Sequence, residues 1–401
     1  CLRRKVQGLG MSKVRIVGGG LLGAAAALEA HRLGARDITL HARNDASSPH
    51  RADGLELRPD CTLFGDSTDP LRRLLEWHGA AFESFELDCG SLNPTLRGEP
   101  TAIDGYAGPV IEGAAEASPV TSTPITLRDA LRVHRPEVEG PLSRYCQWRL
   151  QAWLDQVHAS AADILGVSEL RSPAEALANG CGLSGLGRTV SLPRGGFCNL
   201  RSAMRKALEN IGVDIPLGPL PSARAAMERN HREILVWADD PAPLLAAQGM
   251  RRATTGADRA LSHVFKVRLT RAAPFVVQDF TAGGVVFRVY VYESRGETLA
   301  CVECAGPAPE GVVRCQAQKL LSAFTDEPAR IGERLATLTP SRTGVMTLDA
   351  WRALQAFERR TDGGFVPGAW ERPSTGARFA EISVGLTAAI QAASPLSASA
   401  A

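Results

Sequence analysis

The chain lacks any apolar run near the roughly 18 residues needed to cross a bilayer. Its longest, Leu21 to Leu28, is short and interrupted, so no transmembrane segment is expected. The basic opening Cys1-Leu-Arg-Arg-Lys5 leads into no apolar stretch, so no secretory signal is read there, and Met11 is the expected start. Charge of either sign is not in surplus: 45 basic and 43 acidic residues leave a formal +2. That balance gives no footprint for phosphate backbones or anionic membranes, so nucleic acid is not an expected partner. Also missing are a Gly-x-Ser-x-Gly elbow, a His-Glu-x-x-His pair and a P-loop, which removes the main hydrolase, zincin and nucleoside-triphosphatase signatures.

A disulfide framework is missing as well. Nine cysteines are scattered along the chain, an odd number, which fits a reducing compartment and a cytoplasmic location better than a small secreted scaffold. Cys301-Val-Glu-Cys304 has CxxC spacing, but it lies in a strand-like stretch, where residues three apart point to opposite faces. With no second CxxC and no nearby His, these two read as core thiols, and no metal site is expected.

What is present is a globular composition: 401 residues, 44% hydrophobic and 22% charged, long enough for two or three units. Val14-Arg-Ile-Val17 reads as a strand, Gly18-Gly-Gly20 as a turn, Leu21 to Leu33 as a helix and Asp37 to His41 as a second strand. This βαβ unit implies a parallel sheet. Ala46 to Gly140 reads as a loop-rich excursion with short helical pieces such as Asp69 to His78. A long helical stretch is expected over Leu142 to Leu165, with Trp148 and Trp153 at core-like spacing, closed by the turn Gly180 to Gly187. Residues 191–245 return to α/β character, with a helix from Leu200 to Asn210, strands at Val213-Asp-Ile215 and Ile234 to Trp237, and a helix around Ser222 to Glu228. Leu261 to Cys304 reads as antiparallel strands. Helices are expected over Arg314 to Phe324, Glu327 to Leu338, Thr347 to Arg359 and Gly376 to Ala392.

Gly18-x-Gly20-x-x-Gly23, placed between a strand and a helix, is the pattern that carries chemistry. Its glycines permit a tight turn, close approach of a pyrophosphate to the helix N-terminus, and close packing of helix on strand. The same pattern also fits a glycine-rich turn with no ligand.

Three blocks extend this turn into a longer resemblance: Val14 to Arg43, Leu192-Pro-Arg-Gly-Gly-Phe-Cys-Asn-Leu200 running on to Leu220, and Gly363 to Ala389. Together they cover about a third of the chain. In order and content they resemble the FAD-dependent flavoprotein superfamily that includes flavin amine oxidases, protoporphyrinogen oxidase and phytoene desaturases and, more remotely, UDP-galactopyranose mutase. The resemblance implies an α/β fold. A Rossmann-like FAD-binding domain would be built from discontinuous segments (11–60, 188–248 and 360–393), with an inserted α+β substrate domain containing an antiparallel sheet (61–187 and 249–359). Flexible termini would comprise 1–10 and 394–401. It implies FAD as cofactor and hydride transfer from a C–N or C–C donor to the flavin. On this resemblance the first block places Gly18, Gly20, Leu22, Gly23, His41 and Arg43 at the cofactor. Leu220 falls beside the adenine, and Gly368, Ala369 and Trp370 wrap the flavin.

The departures from the pattern bear on the cofactor. About 20 residues beyond the glycines an acid is expected to take the ribose hydroxyls, and here that residue is His41. A neutral imidazole accepts one such bond where a carboxylate accepts two. The Gly-Gly pair expected next is replaced by Ala46-Ser-Ser-Pro-His50, and the acid after Gly368 is Ala369. These changes keep open a second class, a non-catalytic or FAD-deficient family member acting as a binding or partner subunit. His41 and Arg43 would also suit the extra phosphate of NADP.

On the substrate side, Arg288, Tyr290 and Tyr292 alternate along one strand and share a face. They would roof the substrate pocket, with Arg288 holding an anionic group, or form an ordinary face with a solvated Arg and packed tyrosines. Glu303 is expected to pair with an Arg. His31, His78, His158 and His231 have no partner at ligand spacing and read as ordinary.

Overall fold

The computed structural model describes residues 13–43, 50–59, 61–96, 98–114, 123–179, 189–222, 233–247, 249–250, 260–339, 345–361 and 364–393. Strands β1 (Lys13–Val17) and β2 (Asp37–His41) pair in parallel, joined by helix α1 (Leu21–Arg32). The β-branched, apolar run of β1 alternates: Val14 and Ile16 pack beneath α1, whereas Val17 points to the opposite face. α1 is rich in alanine, which lets it lie close against the sheet, and it ends at Gly34, whose φ of +103° suits only glycine well.

The short strands β3 (Arg51–Ala52) and β4 (Leu55–Glu56) form a hairpin, and β5 (Phe82–Glu86) pairs with β8 (Thr189–Pro193). β6 (Asp88–Asn93) and β7 (Thr101–Asp104) join the large sheet described below. β9 (Glu233–Trp237) lies on the other side of β1, and β15 (Phe365–Pro367) outside it, giving the four-stranded parallel order β15-β9-β1-β2. The expected strand around Asp214 extends this sheet beyond β2: Asp214 N donates to Ile38 O at 3.1 Å and Leu40 N to Asp214 O at 2.8 Å. One core spans α1, the helix Gly196–Asn210, the helix Pro70–Trp77 and the C-terminal helix Thr375–Ala393. Asp69 caps Pro70–Trp77 through Leu71 N and Arg72 N.

The large sheet has seven strands in the order β14-β10-β13-β12-β11-β6-β7, with β10 (Leu261–Arg268), β11 (Phe275–Asp279), β12 (Val286–Ser294), β13 (Glu297–Cys304) and β14 (Arg330–Leu338). All neighbours are antiparallel except β11 and β6. One face, with Val289 and Val291, is covered by the helix Glu310–Ser322. The other, with Tyr290 and Tyr292, is covered by Leu55, Leu57 and Leu63. Cys301 and Cys304 fall in these two separate cores, as strand alternation requires, and both are free thiols.

Two expectations are corrected. Glu327 to Leu338 is no helix: Arg330–Leu338 is the edge strand β14, paired with β10. Its helix-forming residues yield to the open edge of β10, where Ile331 finds a core while Glu333 and Arg334 stay at the surface. The long helix expected over Leu142 to Leu165 is instead the helix Pro136–Leu150, ended by Gln151 in the left-handed region at φ 49°. Trp148 packs against the helical core, but Trp153 beyond the break is 68% exposed and not a core residue. The expected turn Gly180 to Gly187, the helix beyond Ser222, His231, Ala46 to Pro49 and Gly363 lie outside the described residues.

Candidate dinucleotide site and the large-sheet face

The three motif glycines have three different surroundings. Gly18 has φ +116°, and a Cβ there would stand 2.8 Å from Asp239 N; its own N–H donates to His41 O at 3.0 Å. A Cβ on Gly23 would fall far inside contact distance of the Gly18 carbonyl oxygen. Around Gly20, by contrast, there is nothing within 4 Å. Gly20 is the N-cap of α1, with no capping side chain and no acid in the first turn, so the first N–H groups of the helix are left for an incoming acceptor. The Leu22 side chain packs into the core, which leaves only its backbone to a ligand.

At the end of β2, His41 lies beside Val17 in register and is partly buried. Burial, then the Arg15 charge, holds its pKa below the usual imidazole value against the opposing pull of Asp214 and Glu233, which favours the neutral, accepting form. Two residues on, Arg43 Nη2 meets Asp239 Oδ2 at 3.1 Å. Arg43 also lines an open cavity of about 500 Å³ with Leu220, Trp237 and Pro243. The structure thus brings Arg43 and Leu220 to one cavity, with Trp237 lining it and Asp239 beside Arg43. The run that ends β9 carried no sign of this, because its role depends on lying next to the glycine turn in space.

The last glycine block is packed internally. Trp370 is 2% exposed, its Nε1–H donates to Asp239 O at 2.8 Å, and its ring joins Val17 and Trp237 in a core. A Cβ on Gly368 would meet Trp237 O at 2.7 Å and the Trp370 ring. Ala369 is buried with φ 48°, a conformation that disfavours a side chain. Arg378, in the C-terminal helix, donates from Nε to Gly368 O at 2.9 Å and was not anticipated.

On the large sheet, Arg288, Tyr290 and Tyr292 lie on one face, but none is a free substrate-facing group. Arg288 donates to both oxygens of Glu303 at 2.8 and 2.9 Å, the pairing expected for Glu303. Tyr290 and Tyr292 are buried and stack at 5.4 Å, with the Arg58 guanidinium over both rings and over Phe197. Arg58 Nη1 donates to the Tyr290 hydroxyl at 2.8 Å. Its neighbour Glu56 accepts from Phe197 N at 3.0 Å and Cys198 N at 3.3 Å, so the second glycine turn, Gly195-Gly196, already has an anion at its helix N-terminus.

Among the described residues no His, Cys, Asp and Glu cluster could hold a metal, and no helix is long and apolar enough to cross a membrane. Cys89 is disulfide-bonded, which does not favour the expected reducing compartment, whereas six other described cysteines, Cys301 and Cys304 among them, are free.

No family model matches the chain, and no curated protein does. Solved structures do. Reduced UDP-galactopyranose mutase aligns at a TM-score of 0.63 with 12% identity, over 94% of this chain and 95% of that one. A putrescine oxidase mutant redesigned in cofactor binding aligns at 0.55 with 14% identity, over 95% and 99%. Cyclohexylamine oxidase from Brevibacterium oxydans aligns at 0.56 with 15% identity, over 95% and 99%. The chain therefore shares the α/β fold of these enzymes, with its parallel and antiparallel sheets.

Proposed function

We propose that this chain is an FAD-dependent oxidoreductase of the amine oxidase-like type, acting on a small-molecule substrate. The observation that carries the reading is the open space before Gly20 at an uncapped helix N-terminus, flanked by glycines whose own Cβ positions are closed. The ADP half of the cofactor fits this cradle. Backbone N–H groups at the start of α1 would take the pyrophosphate, His41 one ribose hydroxyl, and the cavity beside Arg43 and Leu220 the adenine. When bound, the flavin supplies acceptance of hydride from a C–N or C–C donor. The residues of the chain orient the cofactor, and the packed face of the large sheet excludes water.

The division into a nucleotide unit (11–60, 188–248 and 360–393) and a substrate unit (61–187 and 249–359) belongs to this reading. So does a cytoplasmic location, supported by the free cysteines although not by the disulfide at Cys89. A second reading, a partner subunit that has lost FAD, draws support from Ala369 and from the closure of Trp370 onto Asp239. The visible absorbance spectrum of the purified protein, followed by calorimetric titration with FAD, separates the two. A flavin band or tight binding supports the oxidoreductase, and neither supports the partner.

A further inference from the structure

Asp239 stands just beyond the carboxyl end of β9, where that strand and β1 finish side by side. Its N–H donates to Val17 O at 3.1 Å, and its Cβ lies 3.1 Å from where a side chain on Gly18 would begin. The chain leaving β1 runs to β2 on one side, whereas the chain leaving β9 returns to this sheet as β15 on the other. The carboxyl ends of β1 and β9 therefore bound the crevice in which open parallel sheets hold their ligands. His41 and Arg43 reach that crevice from the β2 side, and Asp239 reaches it from the β9 side. Asp239 Oδ2 accepts from Arg43 Nη2 at 3.1 Å, and among the described residues no group bonds to its other carboxylate oxygen. The two side chains keep 30% and 61% exposure beside the cavity of about 500 Å³ that Arg43 lines.

This pairing treats two kinds of ribose differently. A phosphate approaching Arg43 would meet the Asp239 carboxylate at nearly the same distance, so repulsion opposes most of the attraction. A ribose hydroxyl can instead donate to the unused oxygen in a charge-assisted bond. His41, as a neutral imidazole, takes only one of the two ribose hydroxyls. We propose that Asp239 is a specificity-determining residue of the dinucleotide site, accepting from an adenine-ribose hydroxyl and turning away a phosphorylated ribose. The carboxylate missing from position 41 is thus supplied from beyond β9. This rests on the proposed function in that a nucleotide occupies the cavity, but it does not require that nucleotide to be FAD.

The test is calorimetric titration of the full chain with ADP-ribose and with phospho-ADP-ribose, which differ only in a phosphate on the adenine ribose. Any flavin that copurifies is first removed by bromide dialysis, and FAD is titrated in a parallel series. The parent is expected to bind ADP-ribose about tenfold more tightly than the phosphorylated compound. Asp239→Asn keeps the shape without the charge, so ADP-ribose weakens by about tenfold and phospho-ADP-ribose tightens as Arg43 is freed. Asp239→Glu restores the parental order, which a merely structural role would not require. An exposed ion pair contributes little to folding, so Asp239→Asn should unfold at the parental temperature by circular dichroism. A parent that binds both compounds equally, prefers the phosphorylated one or binds neither overturns the proposal without any variant. Parental affinities in Asp239→Asn overturn it as well. FAD binding without this discrimination keeps the oxidoreductase reading and removes the role of Asp239, whereas selective ADP-ribose binding without FAD does the reverse.

Discussion

The carbonyl oxygen of Gly18 occupies the space that any side chain on Gly23 would need. The strand end and the first turn of α1 touch there through bare backbone. Gly23→Ala must push the turn apart and is expected to cost about 2 kcal/mol or more in stability, read by urea unfolding. Gly20→Val places its side chain in open space, so the fold should stay intact by circular dichroism while FAD binding by calorimetry is lost. Equal FAD affinity in Gly20→Val and the parent would show that the turn is not a phosphate site.

His41 tests the ribose assignment. His41→Glu supplies a second acceptor and is expected to tighten FAD by about 1–2 kcal/mol. If the ligand is NADP, the new carboxylate opposes the extra phosphate and NADPH binding weakens. Titration of both nucleotides into both proteins decides, and no change in either removes His41 from any ribose site.

Six histidines, His31, His41, His78, His134, His158 and His263, are held below the usual imidazole value, with burial the leading cause in each. The unfolded chain therefore takes up protons before the folded one as pH falls. The stability contributed by neutral histidine is fully present above the ordinary value of 6.5 and is lost as pH drops from there through the lowered values. The unfolding midpoint is expected to fall between about pH 7.5 and pH 5.5 and to show no histidine-driven change between about pH 7.5 and pH 8.5. A midpoint that holds or rises on acidification would contradict this.

Glu303 acts on Arg149 and also pairs with Arg288. Glu303→Gln removes the carboxylate that both guanidiniums face and should destabilise the protein by about 3 kcal/mol in chemical denaturation. Adding Arg288→Met should recover part of the loss, because one of the two charges goes with it. A double variant no more stable than Glu303→Gln would place the cost elsewhere than in charge.

The βαβ unit was readable because its signals are local: Val14 to Val17, three glycines and Asp37 to His41 each state their conformation within a few residues. β14 was not, because its conformation is decided by β10, more than sixty positions earlier in the register of Ser262 with Leu338. The site divides in the same way. The glycine turn, His41 and Arg43 follow from one motif, but Asp239, Arg58, Glu56 and Arg149 sit in unremarkable sequence and gain their meaning from what folds against them. Trp370 illustrates the reverse: its position after a glycine turn suggested a ligand contact, and the fold uses it as core.

α1 is held from both ends of the described chain. Ser383 in the C-terminal helix donates to the buried carboxylate of Glu29 at 2.6 Å across 354 positions, and β15 closes the parallel sheet beside β9. During synthesis the glycine turn is made well before the C-terminal helix that packs on α1. Until residues 365–393 have emerged, the side of α1 that packs on the C-terminal helix lacks its cover, although β1, β2 and the helices Pro70–Trp77 and Gly196–Asn210 already pack on it. The glycine turn, made early, is thus locked in place, through Glu29, by a segment 354 positions later.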